Sequence, residues 1–106
     1  MEIAHTQLTL GHSDVRYLHG PDSLRHDDVP RGAISEHALP HCDTYPGTSH
    51  RYWVYVPDQY DGVEPAAVAV FQDGAGFLDP GDDMRATVVL DNLIHQGDLP
   101  VTIAVF

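Results

Sequence analysis

Three apolar runs and one helical period organise the pattern of this chain. His50–Val56, read as His-Arg-Tyr-Trp-Val-Tyr-Val, is aromatic and β-branched, which predicts a strand closed by Pro57. Ala33–Leu39 alternates loosely and reads as a second strand ending at Pro40. Pro46-Gly47-Thr48 marks a turn between them, so the two strands should form an antiparallel hairpin. Ala66–Phe71 is a continuous apolar run, as expected of a strand covered on both faces. Met84–Gln96 places apolar residues at 84, 88, 90, 93 and 94, a helical spacing. Asp82 or Asp83 is placed to cap its start, where a carboxylate also suits the helix dipole. Gly97 fits the position just past the helix, and Pro100 blocks continuation. Val101–Phe106 reads as another buried strand, joined to 66–71 by a right-handed parallel crossover. The fold class is therefore α/β: an antiparallel hairpin, then a strand–loop–helix–strand unit.

Residues 1–32 are polar and rich in turn formers and read as an N-terminal loop extension ahead of the domain part, 33–106. Gly20-Pro21-Asp22-Ser23 and Val29-Pro30-Arg31-Gly32 are turn signals, and Ile3–Leu10 is a candidate short edge strand. At 106 residues the chain makes one domain at most. A chain of this length buries roughly 60–65 % of its unfolded surface, enough for a core. The formal net charge of −11 repels polyanions, which argues against nucleic acid and anionic membranes as partners. Cys42 stands alone, so no internal disulfide forms. No apolar stretch approaches the roughly 18 residues of a membrane helix. The start, Met-Glu-Ile-Ala-His-Thr, lacks the basic and apolar regions of a signal peptide, which makes the cytoplasm the default compartment.

The candidate chemistry lies in Gln72-Asp73-Gly74-Ala75-Gly76-Phe77, at the C-terminal end of the first parallel strand. Open α/β sheets bind ligands at that end of their strands. Two glycines permit backbone geometry other residues resist, and successive N–H groups in such a bend can hold a developing negative charge. Spacing alone leaves two readings, an ordinary Asp-Gly turn or an oxyanion loop. Other constellations are weaker. Gly11-His12-Ser13-Asp14-Val15 imitates half of a nucleophile elbow, but Val15 crowds the sharp turn and no helix follows, so Ser13 reads as a solvated loop serine. Ser23 and Ser49 also lie in loops without an elbow. The 8 histidines show no His-Glu-x-x-His pattern. His37, His41 and Cys42 could gather at one strand end, but no metal site is assigned. Asp79-Pro80-Gly81-Asp82-Asp83 misses the calcium-loop pattern and reads as capping and solvation. Along 51–56, Arg51, Trp53 and Tyr55 face one side of the sheet, and Tyr52, Val54 and Val56 the other.

Several of these residues carry a resemblance. Val70-Phe71-Gln72-Asp73-Gly74-Ala75-Gly76-Phe77, Leu93-Ile94-His95-Gln96-Gly97 and Val101–Phe106 resemble the front of the enterochelin-esterase-like esterases, of the α/β-hydrolase superfamily. Gly20-Pro21-Asp22-Ser23, Val29-Pro30-Arg31-Gly32 and Arg51–Pro57 with Tyr60 agree in order and spacing, so the resemblance covers roughly residues 17–106. It implies the first half of an α/β-hydrolase sheet. It implies that the bend supplies oxyanion N–H groups, with Gly74, Ala75 and Gly76 as candidates and Gln72, Asp73 and Phe77 on the substrate side. The nucleophilic serine would follow on a Gly-x-Ser-x-Gly turn after a fifth strand, then an acid and a histidine. None of those positions occurs in these 106 residues, so the chain is expected to be a truncated N-terminal part, inactive alone.

The resemblance implies a carboxylic ester hydrolase acting on a small-molecule ester, without a cofactor, and leaves the ester and the oligomeric state open. A different class of function is a small binding module, with Trp53 and its neighbouring aromatics as a carbohydrate platform. That reading requires the chain to fold alone. An open apolar edge at the third strand and a single helix for two sheet faces argue against it.

Overall fold

A computed structural model describes residues 18–106 of the chain. The strand expected at Ile3–Leu10 and the loop serine Ser13 lie outside the described residues. The described part begins with a 3₁₀ turn at Pro21–Ser23. Strand β1 (Ala33–Leu39) and strand β2 (His50–Val56) follow, then β3 (Ala67–Val70). A one-turn helix, α1 (Ala75–Leu78), precedes α2 (Ala86–Gln96) and the last strand, β4 (Thr102–Val105).

The strands form one mixed, open sheet in the order β1-β2-β4-β3. β1 and β2 pair antiparallel, with Ile34 opposite Tyr55 and Leu39 opposite His50. Gly47, at φ 86°, turns the chain between them in a conformation that only glycine adopts freely. β4 lies antiparallel to β2 and parallel to β3, so the segment 71–101 is a crossover carrying α1 and α2. This is an open α/β arrangement with few helices.

Register explains which residues meet. Ile34, Tyr55, Ala104 and Ala69 form one row across all four strands. That row faces α2, whose Ala86, Leu90 and Ile94 close over Tyr55 and Ala104 to make the core. Each large side chain buried this way contributes roughly 1.5–3 kcal/mol. Ser35, Val54, Val105 and Val70 form the neighbouring row on the opposite face. Among the described residues no helix covers that face.

Several boundaries differ from the sequence expectation for physical reasons. β3 is four residues long and is the outer strand rather than a strand covered on both faces. Val68 and Val70 are 67 % and 77 % exposed. β4 begins at Thr102 and ends at Val105, one residue inside the expected run at each end. The helix begins at Ala86, not Met84, because Arg85 takes a left-handed conformation, φ 46° and ψ 43°. Neither Asp82 nor Asp83 caps it: the N-cap residue is Arg85, with no side-chain cap bond. Asp82 is used within its own loop, its side chain accepting the Asp83 N–H at 2.8 Å and its carbonyl the Arg85 Nε at 2.8 Å. The C-terminus follows expectation: Gly97 is left-handed, φ 82°, and its N–H returns to the Ile94 carbonyl.

Candidate functional site

The parallel ladder closes where Phe71 donates its N–H to the Val105 carbonyl at 2.8 Å. The chain then turns sharply through Gln72 and Asp73. The strained residue is Asp73, at φ 57°, not either glycine. Gly74 has ordinary right-handed helical angles, φ −56° and ψ −32°. It is glycine for another reason: a Cβ there would overlap the Phe106 backbone and Cβ. Gly76 has open space around it. The expectation that both glycines supply unusual backbone geometry is therefore corrected. One permits close approach, and the turn itself is borne by an aspartate, a residue that tolerates the left-handed region better than most.

Turn and helix hydrogen bonds divide the candidate N–H groups. Gly76 donates to the Asp73 carbonyl at 3.0 Å and Phe77 to the Gly74 carbonyl at 2.9 Å, so both are engaged. Gly74 and Ala75, at the start of α1, have no N–H acceptor among the described residues. Gly74, Ala75, Gly76 and Asp73 line an open cleft of about 630 Å³, whose lining also includes Phe71 and Phe106. It lies at the C-terminal ends of β3 and β4, with the first half of β2 alongside.

Aromatic packing holds the turn in place. The Phe71 and Phe106 rings stack, centroids 4.6 Å apart and 12° between planes. Phe77 tilts against Phe71 at 5.1 Å and packs onto the core, away from the cleft lining. Gln72 is exposed and also stands outside that lining. The structure thus brings Asp73, Gly74, Ala75 and Gly76 together and turns Phe77 to a packing role. Trp53 reaches the cleft from β2 but is half-buried against the core, with the Arg51 guanidinium 5.4 Å from its ring centre. Arg51 also pairs loosely with Glu36 at 3.3 Å, both exposed.

Among the described residues no three His, Cys, Asp or Glu side chains gather in a metal-holding group. His37 instead bonds Ser35 at 2.8 Å and stacks on Tyr52, centroids 5.1 Å apart. No helix among the described residues is long and apolar enough to cross a membrane.

One polar cluster escaped sequence reasoning. Asp91, only 3 % exposed, points from α2 into the fold. Its Oδ1 accepts the Tyr55 hydroxyl and the Gly32 N–H, each at 2.8 Å, and its Oδ2 accepts the Arg25 guanidinium at 2.6 Å. Burial, then the hydrogen bond to Asp91, raises the Tyr55 phenol well above its ordinary value. The available signal was an aspartate set between the apolar helix positions 90 and 94, flanked by Asn92. Compared with known proteins, the chain matches no protein-family model and no curated protein.

Proposed function

We propose that this chain is the oxyanion-side front of a serine carboxylic-ester hydrolase with an α/β-hydrolase sheet. The observation that carries the reading is the turn Asp73–Phe77: two N–H groups without an acceptor among the described residues, on a turn lining a cleft at the C-terminal ends of parallel strands. An ester carbonyl seated against Gly74 and Ala75 would place its oxygen at fixed donors. Attack by a serine oxygen, whose proton passes to a histidine, forms the new C–O bond and moves the carbonyl π electrons onto the carbonyl oxygen, where preorganised N–H groups stabilise the charge as it forms. One such donor is worth about 10²–10³ in rate. The tetrahedral intermediate then expels the alcohol, which takes a proton from a histidine, leaving an acyl-serine for water to cleave. Gly74 and Ala75 make no covalent bond in this scheme. The sheet order and the antiparallel lead pair support the same reading, as do the exposed Val68 and Val70 on the outer strand β3, whose face no helix covers among the described residues.

The 106 residues contain no Gly-x-Ser-x-Gly turn, so the reading assigns nucleophile, acid and base to sequence beyond Phe106. Reading the coding DNA past the Phe106 codon tests it. An open frame carrying Gly-x-Ser-x-Gly and, later, a histidine is the expected result. A stop codon directly after Phe106, or a long frame without such a turn, would overturn the proposal.

A further inference from the structure

The segment from Gly20 to Arg31 lies across α2, and its grip on that helix is polar. Asn92 donates to the carbonyls of Asp22 and Leu24 at 2.8 and 2.9 Å. Arg85 reaches the Ser23 carbonyl at 3.1 Å, and Gln96 the Asp22 carboxylate at 3.0 Å. Three consecutive main-chain carbonyls are thus held by side chains of α2 and of its N-cap residue, Arg85. One ionic anchor adds to them, Arg25 to Asp91 at 2.6 Å, with the Arg25 side chain 34 % exposed and so within reach of water. No residue of the 3₁₀ turn is buried and Leu24 is 45 % exposed; the apolar residues of the segment that are partly buried are Val29 and Pro30, near its base.

At Gly32 the situation changes. A Cβ there would overlap the Tyr55 ring and crowd the Val56 carbonyl, so the chain is pressed onto the core at that point. Its N–H is fixed on Asp91 as well. The segment therefore has a tight base and a polar, half-solvated remainder.

We infer that residues 20–31 form a releasable strap, hinged at Gly32 and latched over α2 by the Arg25–Asp91 pair and the Asn92 amide. It detaches, and its short 3₁₀ turn melts as it leaves α2, while the sheet stays folded. Opening uncovers Asn92 and the Arg25 side of Asp91, and leaves Asp91 bonded to Tyr55 and Gly32. This assignment stands independently of any catalytic role.

Native-state hydrogen exchange on the protein reads it directly. Ser23, Leu24 and Val29 donate N–H bonds inside the strap, to Gly20, Pro21 and His26 carbonyls. Trp53 and Phe106 exchange N–H bonds with each other's carbonyls and report the sheet. In the unmodified protein the strap amides should exchange through an opening that leaves Trp53 and Phe106 protected. Arg25→Met removes the charge and keeps the stem. It should speed the Ser23 and Leu24 amides about tenfold; Trp53 and Phe106 change by no more than that factor, since the pair is lost in the unfolded chain as well, and they stay better protected than the strap. Asn92→Leu, which removes the two carbonyl grips by another route, should act in the same direction. Glu36→Gln, which breaks the pair across β1 and β2, should leave the strap amides unmoved. Strap amides as strongly protected as Trp53 and Phe106 in the unmodified protein, or accelerated together with them by Glu36→Gln, would overturn the inference, because the strap would then belong to the cooperative core. So would strap amides that respond to neither variant.

Discussion

Replacing Gly74 by alanine tests the packing of the turn on Phe106. The backbone angles at Gly74 suit alanine, so conformation offers no objection. Restricting the unfolded chain would by itself stabilise the fold by about 0.4–1 kcal/mol. The added Cβ, however, would sit inside the Cα, carbonyl carbon and Cβ of Phe106. Two of those three atoms are backbone, so the clash cannot be relieved by rotating a side chain. The turn or the end of β4 must shift, and overpacking of this kind costs about 1–3 kcal/mol. The clash outweighs the entropic gain and leaves a net loss of about 1–2 kcal/mol. In a domain of roughly 100 residues each kcal/mol lowers Tm by about 4–8 °C. Gly76→Ala is the matched control. Its Cβ meets nothing within 4 Å and it lies in helix α1, so the change should be neutral or stabilising. Thermal denaturation of both variants beside the unmodified protein gives the comparison. A Gly74→Ala protein as stable as the Gly76→Ala protein would refute the claim that close approach selects glycine at 74.

Further outcomes follow from the same contacts. Tyr55→Phe keeps the ring but removes the hydroxyl bond to Asp91; chemical denaturation should show a loss of about 1–2 kcal/mol, and an unchanged midpoint would show that the buried bond stabilises nothing. Burial and Asp91 keep the Tyr55 proton in the folded state at pH values where an unfolded tyrosine, near pKa 10, releases it. Stability from this group is therefore complete below about pH 10 and falls as pH rises beyond it. Phenolate absorbance should accordingly show Tyr55 ionising only together with unfolding. Asp61 accepts N–H bonds from Glu64 and Val63, which lower its carboxyl below the usual aspartate range. Its contribution is present at neutral pH and is lost as pH falls through that lowered value, so side-chain NMR should find Asp61 titrating late on acidification. Val68→Lys places a charge on the exposed outer strand; in the 106-residue chain it should change stability by less than about 0.5 kcal/mol and reduce self-association in light scattering. A large destabilisation would mean that the face is covered.

Much of the fold was legible because its signals are local. The aromatic and β-branched alternation of 50–56, closed by Pro57, gave β2 its observed ends, and 33–39 gave β1. Gly97 followed by Pro100 marked the end of α2. What was not legible depends on partners far apart in sequence. Asp82 and Asp83 look like helix caps, but Arg85, tied to Asp82 and to the distant Ser23 carbonyl, takes the left-handed residue before the helix. Asp91 draws on Arg25, Gly32 and Tyr55, none of which is local to it. The polar stretch before β1 therefore reads as an extension, although its Gly20–Gly32 part is bonded to α2. At the candidate site the location of the turn was legible. The division of labour within it was not, because Gly74 is set by Phe106 and Gly76 N–H is used by Asp73.

The central claim is that this turn serves a serine ester hydrolase, and covalent labelling tests it most directly. Protein expressed from the complete reading frame would be treated with a fluorophosphonate and the modified residue located by mass spectrometry. The account predicts a single labelled serine, within a Gly-x-Ser-x-Gly turn beyond Phe106, and loss of ester hydrolysis in step with labelling. Ester hydrolysis that persists without serine labelling, or no hydrolysis of any simple acyl ester, would contradict it.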